Sequence, residues 1–164
     1  MSSPFQCLKS TGQFQVLRPV TGDEILTMAK QIVKRQFKRG RALTSPDECR
    51  EFLLLELSTV EHELFYIIFM DNQHRIINSE ICFQGTIHHA NVYPREVVKR
   101  SLQLNAKALI LAHNHPSGFA EPSKEDKVIT KRLIEALALV EITVLDHFLI
   151  GGTEIFSFAE AGLI

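Results

Sequence analysis

The sequence predicts an α/β domain in which a mixed β-sheet is flanked by helices. Strand-like apolar runs alternate along the chain with segments whose apolar residues have helical spacing. Hairpin signals stand at both ends of this alternation, a polar turn at 71–74 and a glycine pair at 151–152. An order of hairpin, helix, strand, helix and hairpin favours strands that pair both parallel and antiparallel.

The first 43 residues are predicted to form a basic tail and a helix ahead of this domain. Residues 1–20 are polar without a periodic pattern, which predicts a loose tail. The segment from Asp23 to Arg39 combines helical spacing, acids in its first turn and Gly40 just past its end, so we expect an amphipathic helix. We therefore divide the chain at 43/44, with the main domain over residues 44–164.

Capping signals and periodicity predict the remaining elements. Ser45 is expected to cap a second helix, with Pro46 in the first turn and Glu48 completing a capping box. The other predicted elements are strands 64–70 and 75–83, a helix from Pro94 to about Asn105 with Val97, Val98, Leu102 and Leu104 on or near its buried side, strand 108–112, helix 124–139, and strands 142–150 and 154–158.

Composition indicates one soluble globular domain. An apolar fraction of 45% and a charged fraction of 23% are ordinary values. No apolar stretch approaches the ~18 residues that a membrane span needs, and the N-terminus lacks the basic-then-apolar pattern of a secretory signal. Three scattered cysteines argue against a disulfide framework and are typical of a reducing compartment, so a cytoplasmic protein is expected.

The formal net charge of −1 conceals an asymmetry between the two ends of the chain. Residues 1–41 hold eight basic and two acidic side chains, whereas residues 42–164 hold ten basic and seventeen acidic ones. Five of the eight residues in 34–41 are basic. This segment is either a solvated helix end or a weak, non-specific nucleic-acid contact.

A group of histidines and acids after strand 108–112 is the strongest functional signal. His113 and His115 are two apart on an extended segment, so their side chains can converge on one point. With Asp126, at the start of a predicted helix, they would supply three ligands and leave a fourth zinc position open, as in catalytic sites. The alternative is that the histidines pack and that Ser123 and Asp126 form a capping box, which needs no metal.

These residues resemble a known signature. The pattern His113-x-His115-Pro116, six residues, Ser123, two residues, Asp126 resembles the JAMM signature of MPN-type metalloproteases. The resemblance runs from about Ser45 to the C-terminus and implies an MPN fold, one bound Zn²⁺ ion and hydrolysis of an amide bond. The surroundings are similar to the RadC-type branch in four segments: Pro94-Arg95-Glu96-Val97, His113-Asn114-His115-Pro116-Ser117-Gly118, Pro122-Ser123-Lys124-Glu125-Asp126 and Asp146-His147.

The resemblance also selects catalytic residues. Glu56, Glu61 and Glu63 all lie near the start of strand 64–70, and periodicity does not choose among them. In RadC-like chains the recurring glutamate stands two positions before an aromatic residue, which here implies Glu63 as the general base. The serine at the position of Ser123 is implied to hydrogen-bond the tetrahedral intermediate.

Five other histidines rank lower than these residues. His147 follows Asp146 and is expected to support a ligand or to pack in the core. The remaining four are not expected to be ligands: His62, His74, His88 and His89.

Two functional classes are compatible with the sequence. The first is a zinc metallopeptidase or isopeptidase acting on a peptide or protein, which the complete ligand set favours. The second is a DNA-repair-associated module that binds nucleic acid or protein and keeps a vestigial or structural metal site. The paired Gly-rich hairpins of the N-terminal helix-hairpin-helix region in longer RadC-type proteins are not seen here, which weakens the second. The Cys-x-x-Cys pattern of nucleoside deaminases is also missing.

Overall fold

The computed structural model describes residues 3–8, 12–36, 39–43, 45–85 and 91–164. The chain forms two compact units, residues 1–36 and residues 37–164. No helix in the described part of the chain is long and apolar enough to cross a membrane.

The N-terminal unit contains a hairpin where the sequence predicts a loose tail, so that prediction is wrong. Strands β1 (Phe5–Leu8) and β2 (Gln13–Val16) pair antiparallel. Successive side chains of a strand point to opposite faces, and a period-two apolar pattern marks both segments. One face of the hairpin therefore carries four apolar residues: Phe5, Cys7, Phe14 and Val16.

The first helix, α1 (Gly22–Gln36), begins one residue before its predicted start. Its end differs from the prediction, because Arg39 lies in a turn. Phe37 and Lys38 lie outside the described residues. The first turn is stabilised by Glu24, whose carboxylate accepts hydrogen bonds from the backbone N–H of Thr21 and from the guanidinium of Arg18.

The second unit is built on a five-stranded mixed sheet, and the predicted fold class is confirmed. The strand order is β4-β3-β5-β6-β7, in which β5 and β6 pair parallel and the other neighbours pair antiparallel. The strands are β3 (Leu64–Met70), β4 (Ile76–Gln84), β5 (Ala108–Asn114), β6 (Thr143–Gly151) and β7 (Glu154–Ser157).

Three helices cover the two faces of this sheet. They are α2 (Pro46–Leu57), α3 (Pro94–Gln103) and α4 (Lys124–Ala138). All residues of the central strands β3 and β5 are buried, as expected for strands covered on both sides. One face of β5, carrying Leu109 and Leu111, packs in the same core cluster as Leu133 of α4. His113 shares that face, because residues two apart on a strand point the same way.

Two local expectations on the helices are wrong. Leu102 is 55% exposed, whereas the residue before it, Ser101, is fully buried. The helix turns by ~100° per residue, so the register that buries Val97 and Ser101 leaves Leu102 on the outer face. At α2, Ser45 caps the helix through the Asp47 backbone N–H, but Glu48 pairs with Arg41 instead of closing a capping box.

Candidate metal centre

Two elements of the second unit bring the predicted metal ligands together. His113 lies near the end of β5, and His115 follows that strand directly. Asp126 lies in the first turn of α4. Nε2 of His113 is 3.2 Å from Oδ1 of Asp126, and Nε2 of His115 is 3.4 Å from Oδ2. One potential ligand atom of each residue lies within 4.8 Å of the others, so the group could hold a metal ion.

The orientation of His115 depends on the loop that follows it. Its Nδ1 lies 3.2 Å from the carbonyl oxygen of Phe119. A carbonyl only accepts, so Nδ1 carries the ring proton and the lone pair of Nε2 faces Asp126. Gly118 closes the turn at a φ of +86°, a conformation that favours glycine. The Asp126 carboxylate raises the pKa of His115, and partial burial of the ring opposes this rise.

Asp126 forms the capping box of α4 and faces the histidines at the same time. Its Oδ2 accepts hydrogen bonds from the backbone N–H of Ser123 at 2.7 Å and from the Ser123 hydroxyl at 2.6 Å. The Ser123 oxygen accepts from the Asp126 backbone N–H at 3.1 Å. Burial alone would raise the pKa of Asp126, but the adjacent His113 and His115 lower it far below its usual range. The capping interpretation and the metal interpretation are therefore compatible.

The opposite edge of the His113 ring contacts another buried histidine. Nδ1 of His113 lies 2.8 Å from Nε2 of His147, whose Nδ1 is 2.6 Å from Oγ1 of Thr130. The His147 ring stacks on Phe158 and meets Phe65 edge-on, so its orientation is fixed. Burial lowers the pKa of His147 well below its usual value. Sequence reasoning gave His147 only a supporting or packing role and overlooked Thr130, although Thr130 lies four residues after Asp126 on α4.

Nε2 of His113 is a buried nitrogen without a hydrogen-bond partner among the described residues. Its 3.2 Å approach to the Asp126 carboxylate is an ion-pair distance and lacks hydrogen-bond alignment. Buried polar atoms are normally paired, because an unpaired one loses its hydration without compensation. A metal ion would satisfy the ring nitrogen and the carboxylate together, so the residues present fit a bound metal.

The three potential ligands line an open cleft of about 710 Å³. Glu63, the residue before β3, lines this cleft together with Ser123. Of the other two glutamates considered, Glu61 is exposed and Glu56 lies on α2, and neither lines the cleft. Two acids outside the ligand group therefore line the same cleft as the three potential ligands: Glu63 and Glu125, an exposed residue in the first turn of α4.

The structure describes only part of the basic segment and only two of the four histidines that were not expected to be ligands. Arg35 and Arg39 are exposed, and Arg41 forms an ion pair with Glu48. Lys38 and the side chain of Lys34 lie outside the described part of the chain, as do His88 and His89. His62 and His74 are exposed and do not line the cleft.

Comparison with known proteins agrees with the α/β fold. The family described as RadC-like JAB domain matches residues 43–163. The chain therefore belongs to the RadC-like JAB family, within a class that includes hydrolases.

Similar proteins occur in Vibrio and Photobacterium species. The chain is 58% identical over 140 residues to the UPF0758 protein VP0184 of Vibrio parahaemolyticus, and 57% identical over 140 residues to a UPF0758 protein of Vibrio cholerae. It is 54% identical over 138 residues to the UPF0758 protein PBPRA0202 of Photobacterium profundum. The aligned regions cover 84–85% of this chain and 62% of each relative. The chain thus spans less than two thirds of the length of these relatives.

Proposed function

We propose that this protein is a zinc-dependent hydrolase, a metallopeptidase or isopeptidase, that cleaves an amide bond of a peptide or protein. The observation that carries the proposal is the buried Nε2 of His113, which has no hydrogen-bond partner among the described residues and lies beside the Asp126 carboxylate in an open cleft. A structural role alone would favour pairing this nitrogen. A ligand role leaves it bare for a metal.

The donor set suits one Zn²⁺ ion. Two neutral imidazole nitrogens and one carboxylate oxygen are common zinc ligands, and three protein ligands leave a coordination position open. His113, His115 and Asp126 would hold the ion. When bound, zinc supplies Lewis acidity, which polarises a carbonyl group and lowers the pKa of water.

Glu63 is proposed as the general base. A base must lie within reach of the nucleophile and must keep a free carboxylate, and Glu63 lines the cleft outside the ligand group. Its role would be to take a proton from the attacking water and pass it to the leaving amine.

Ser123 is proposed to stabilise the oxygen that becomes negative during the reaction. In the structure its hydroxyl proton is directed to Oδ2 of Asp126. A serine hydroxyl has one proton, so this role requires the hydroxyl to rotate from Asp126 toward the substrate. The backbone N–H of Ser123 would keep Asp126 in place during that rotation.

Metal analysis followed by a peptide-library cleavage screen, with and without a chelator, tests the proposal. We expect about one zinc per chain and cleavage that a chelator abolishes. His115→Ala should lose both, whereas His74→Asn should keep both. His74 is an exposed turn residue with a φ of +55°, a conformation that asparagine tolerates. Cleavage that persists in metal-free protein would contradict the proposal.

A weak nucleic-acid contact is proposed as a second property of the chain. The observation that favours it is the excess of basic residues in 34–41, of which Arg35 and Arg39 are exposed. The acidic balance of residues 42–164 opposes tight binding of a polyanion. We therefore expect contacts to phosphates that do not depend on nucleotide sequence.

A further inference from the structure

Three buried hydrogen bonds lead from α4 to the ring of His113. Oγ1 of Thr130 lies 2.6 Å from the carbonyl oxygen of Asp126 and 2.6 Å from Nδ1 of His147. Nε2 of His147 then lies 2.8 Å from Nδ1 of His113. The side chains of all three residues beyond Asp126 are buried, so water does not compete for these bonds.

The hydrogen bond between Thr130 Oγ1 and the Asp126 carbonyl oxygen can have only one direction. Two oxygen atoms 2.6 Å apart need a proton between them, and a carbonyl oxygen has none to give. The Thr130 hydroxyl therefore donates its single proton to the carbonyl of Asp126. Toward His147 the same oxygen can only accept, so Nδ1 of His147 carries a proton.

The proton on Nδ1 of His147 determines which nitrogen of the His113 ring carries a proton. His147 is 0% exposed, and burial keeps its ring neutral with one proton in total. With that proton on Nδ1, Nε2 of His147 must accept. Nδ1 of His113 therefore donates, which leaves Nε2 of a neutral His113 without a proton.

We propose that Thr130 and His147 are positioning residues that set the tautomer of His113 and so keep its Nε2 bare for a metal ion. The inference rests on the proposed metal site. Helix α4 would then serve that site twice, through the carboxylate of Asp126 and through Thr130 one turn later. Groups that hold ligand histidines in one tautomer typically contribute about 10–100-fold to metal affinity.

Without Thr130 and His147, the opposite tautomer of His113 would be favoured. The Asp126 carboxylate, 3.2 Å from Nε2 of His113, attracts a proton to that nitrogen. If Nε2 carried the proton, Nδ1 of His113 would accept from Nε2 of His147. The proton would then stand where the metal ion binds. The Thr130 hydroxyl opposes this arrangement, because its oxygen accepts a hydrogen bond from the N–H at Nδ1 of His147.

Nitrogen-15 NMR of the imidazole rings in the metal-free full chain tests the proposal. Spectra are recorded about two pH units above the usual imidazole pKa of ~6.5, because a high pH favours neutral imidazole. We expect the wild type to carry protons on Nδ1 of His113 and of His147. Thr130→Val removes the hydroxyl while keeping the shape, and both protons should move to Nε2. Thr130→Ser restores the hydroxyl and should restore the wild-type spectrum.

Zinc affinity provides a second readout. Thr130→Val should bind zinc about 10–100-fold more weakly than the wild type, and Thr130→Ser should bind it normally. Ser101→Ala is the matched control, because Ser101 is a buried helix residue whose hydroxyl also donates to the carbonyl four residues earlier, at 2.7 Å. It should lose stability without changing either the tautomers or the zinc affinity.

The outcomes separate this proposal from the proposed function. A wild-type spectrum with the neutral His113 proton on Nε2 overturns the inference, and this result does not depend on any variant folding. Unchanged tautomers and zinc affinity in Thr130→Val also overturn it. If zinc fails to bind while the Nδ1 tautomer and its dependence on Thr130 are observed, the metal proposal fails and the hydrogen-bond assignment stands.

Discussion

The side chain of Asn114 is hydrogen-bonded to the backbone of Leu64, whose N–H donates to Oδ1 of Asn114 at 2.8 Å. Its Nδ2 donates to the carbonyl oxygens of Val60 at 3.2 Å and His62 at 3.0 Å. Asn114 is 2% exposed, so these bonds are shielded from water. They attach the segment that carries Glu63 to the end of β5, next to His113 and His115.

These hydrogen bonds do not involve the Glu63 side chain, so its role can be tested by a substitution that leaves the segment in place. Glu63→Gln should retain zinc and the native fold, because Glu63 is outside the ligand group and the glutamine has the same size. Turnover should fall by about 10²–10⁴-fold, since an amide cannot accept and relay the proton. Steady-state cleavage of a substrate from the peptide screen, together with metal analysis, measures both effects.

Glu61→Gln is the matched control for this prediction. Glu61 is exposed, two residues away on the same segment, and does not line the cleft. It should keep near wild-type turnover. If Glu61→Gln is inactive while Glu63→Gln is active, the assignment of the base to Glu63 is wrong.

The two roles of Asp126 can be separated by a second pair of variants. Asp126→Asn should lose most of its metal, because the anionic ligand is removed while a side-chain oxygen that can accept hydrogen bonds remains. Ser123→Ala should keep its metal and lose about 1 kcal/mol of stability, the usual cost of a lost helix cap. Metal analysis and thermal unfolding give the two readouts. Full zinc occupancy in Asp126→Asn would reduce Asp126 to a capping residue.

The ion pair between Glu80 on β4 and Arg100 on α3 predicts a pH dependence of stability. Two hydrogen bonds from the Arg100 guanidinium, at 2.6 and 2.8 Å, lower the pKa of Glu80. A lowered folded-state pKa adds stability above the unfolded value of ~4.3, and this contribution disappears as the pH falls through the folded-state value. Glu80→Gln should therefore be less stable than the wild type at pH 7, and the difference should vanish in acid.

The expected size of this effect is small, because the two side chains are 31% and 39% exposed. We expect roughly 0.5–1 kcal/mol at pH 7 from denaturant unfolding. Glu135→Gln, which removes a more exposed glutamate with a 3.9 Å ion pair on α4, should cost less. A deficit in Glu80→Gln that stays constant from pH 7 down to acid would contradict the assignment.

The basic segment predicts weak and salt-sensitive binding to DNA. If all five basic residues of 34–41 contacted phosphates, the logarithm of affinity would fall with the logarithm of salt at a slope of about −4 to −5. Binding to duplex and single-stranded DNA is measured over a range of salt concentrations. The full chain should bind weakly and lose binding near physiological salt.

Replacement of Arg35 and Arg39 by glutamine should flatten this slope by about 2. The control replaces Lys127 and Lys131, two exposed cations of α4, and should leave the slope unchanged. Tight, salt-resistant binding that survives the Arg35 and Arg39 replacements would make nucleic acid the primary partner.

Much of the sheet and its helices could be predicted because their signals are local. The β-branched and aromatic run of β3 has the predicted bounds, and Ser123 caps α4 as its capping-box pattern indicates. The N-terminal hairpin was missed because each strand has only four residues. An apolar and polar alternation of that length does not stand out among polar neighbours. Leu102 was misplaced because small shifts in helix register decide which residue is buried, and those shifts depend on the packing partner.

In the candidate site, too, the residues with local signals were predicted and the long-range contacts were not. Sequence spacing and family resemblance indicated His113, His115 and Asp126, since a strand followed by a capped helix places them in a predictable order. Nothing in the spacing joins Thr130 to His147, which lie seventeen residues apart on α4 and β6.

By itself, the sequence determined the order of elements in the second unit, the family and the residue types of the ligand group, because these depend on local periodicity and on closely spaced motifs. Only the tertiary structure decided that Glu63 lines the cleft, that Asn114 anchors its segment, and that His147 meets His113. These contacts join residues 34 to 54 positions apart, as in the bonds of Asn114 and His147. The physical reason is that side chains distant in sequence meet only when the sheet pairs and the helices pack on it.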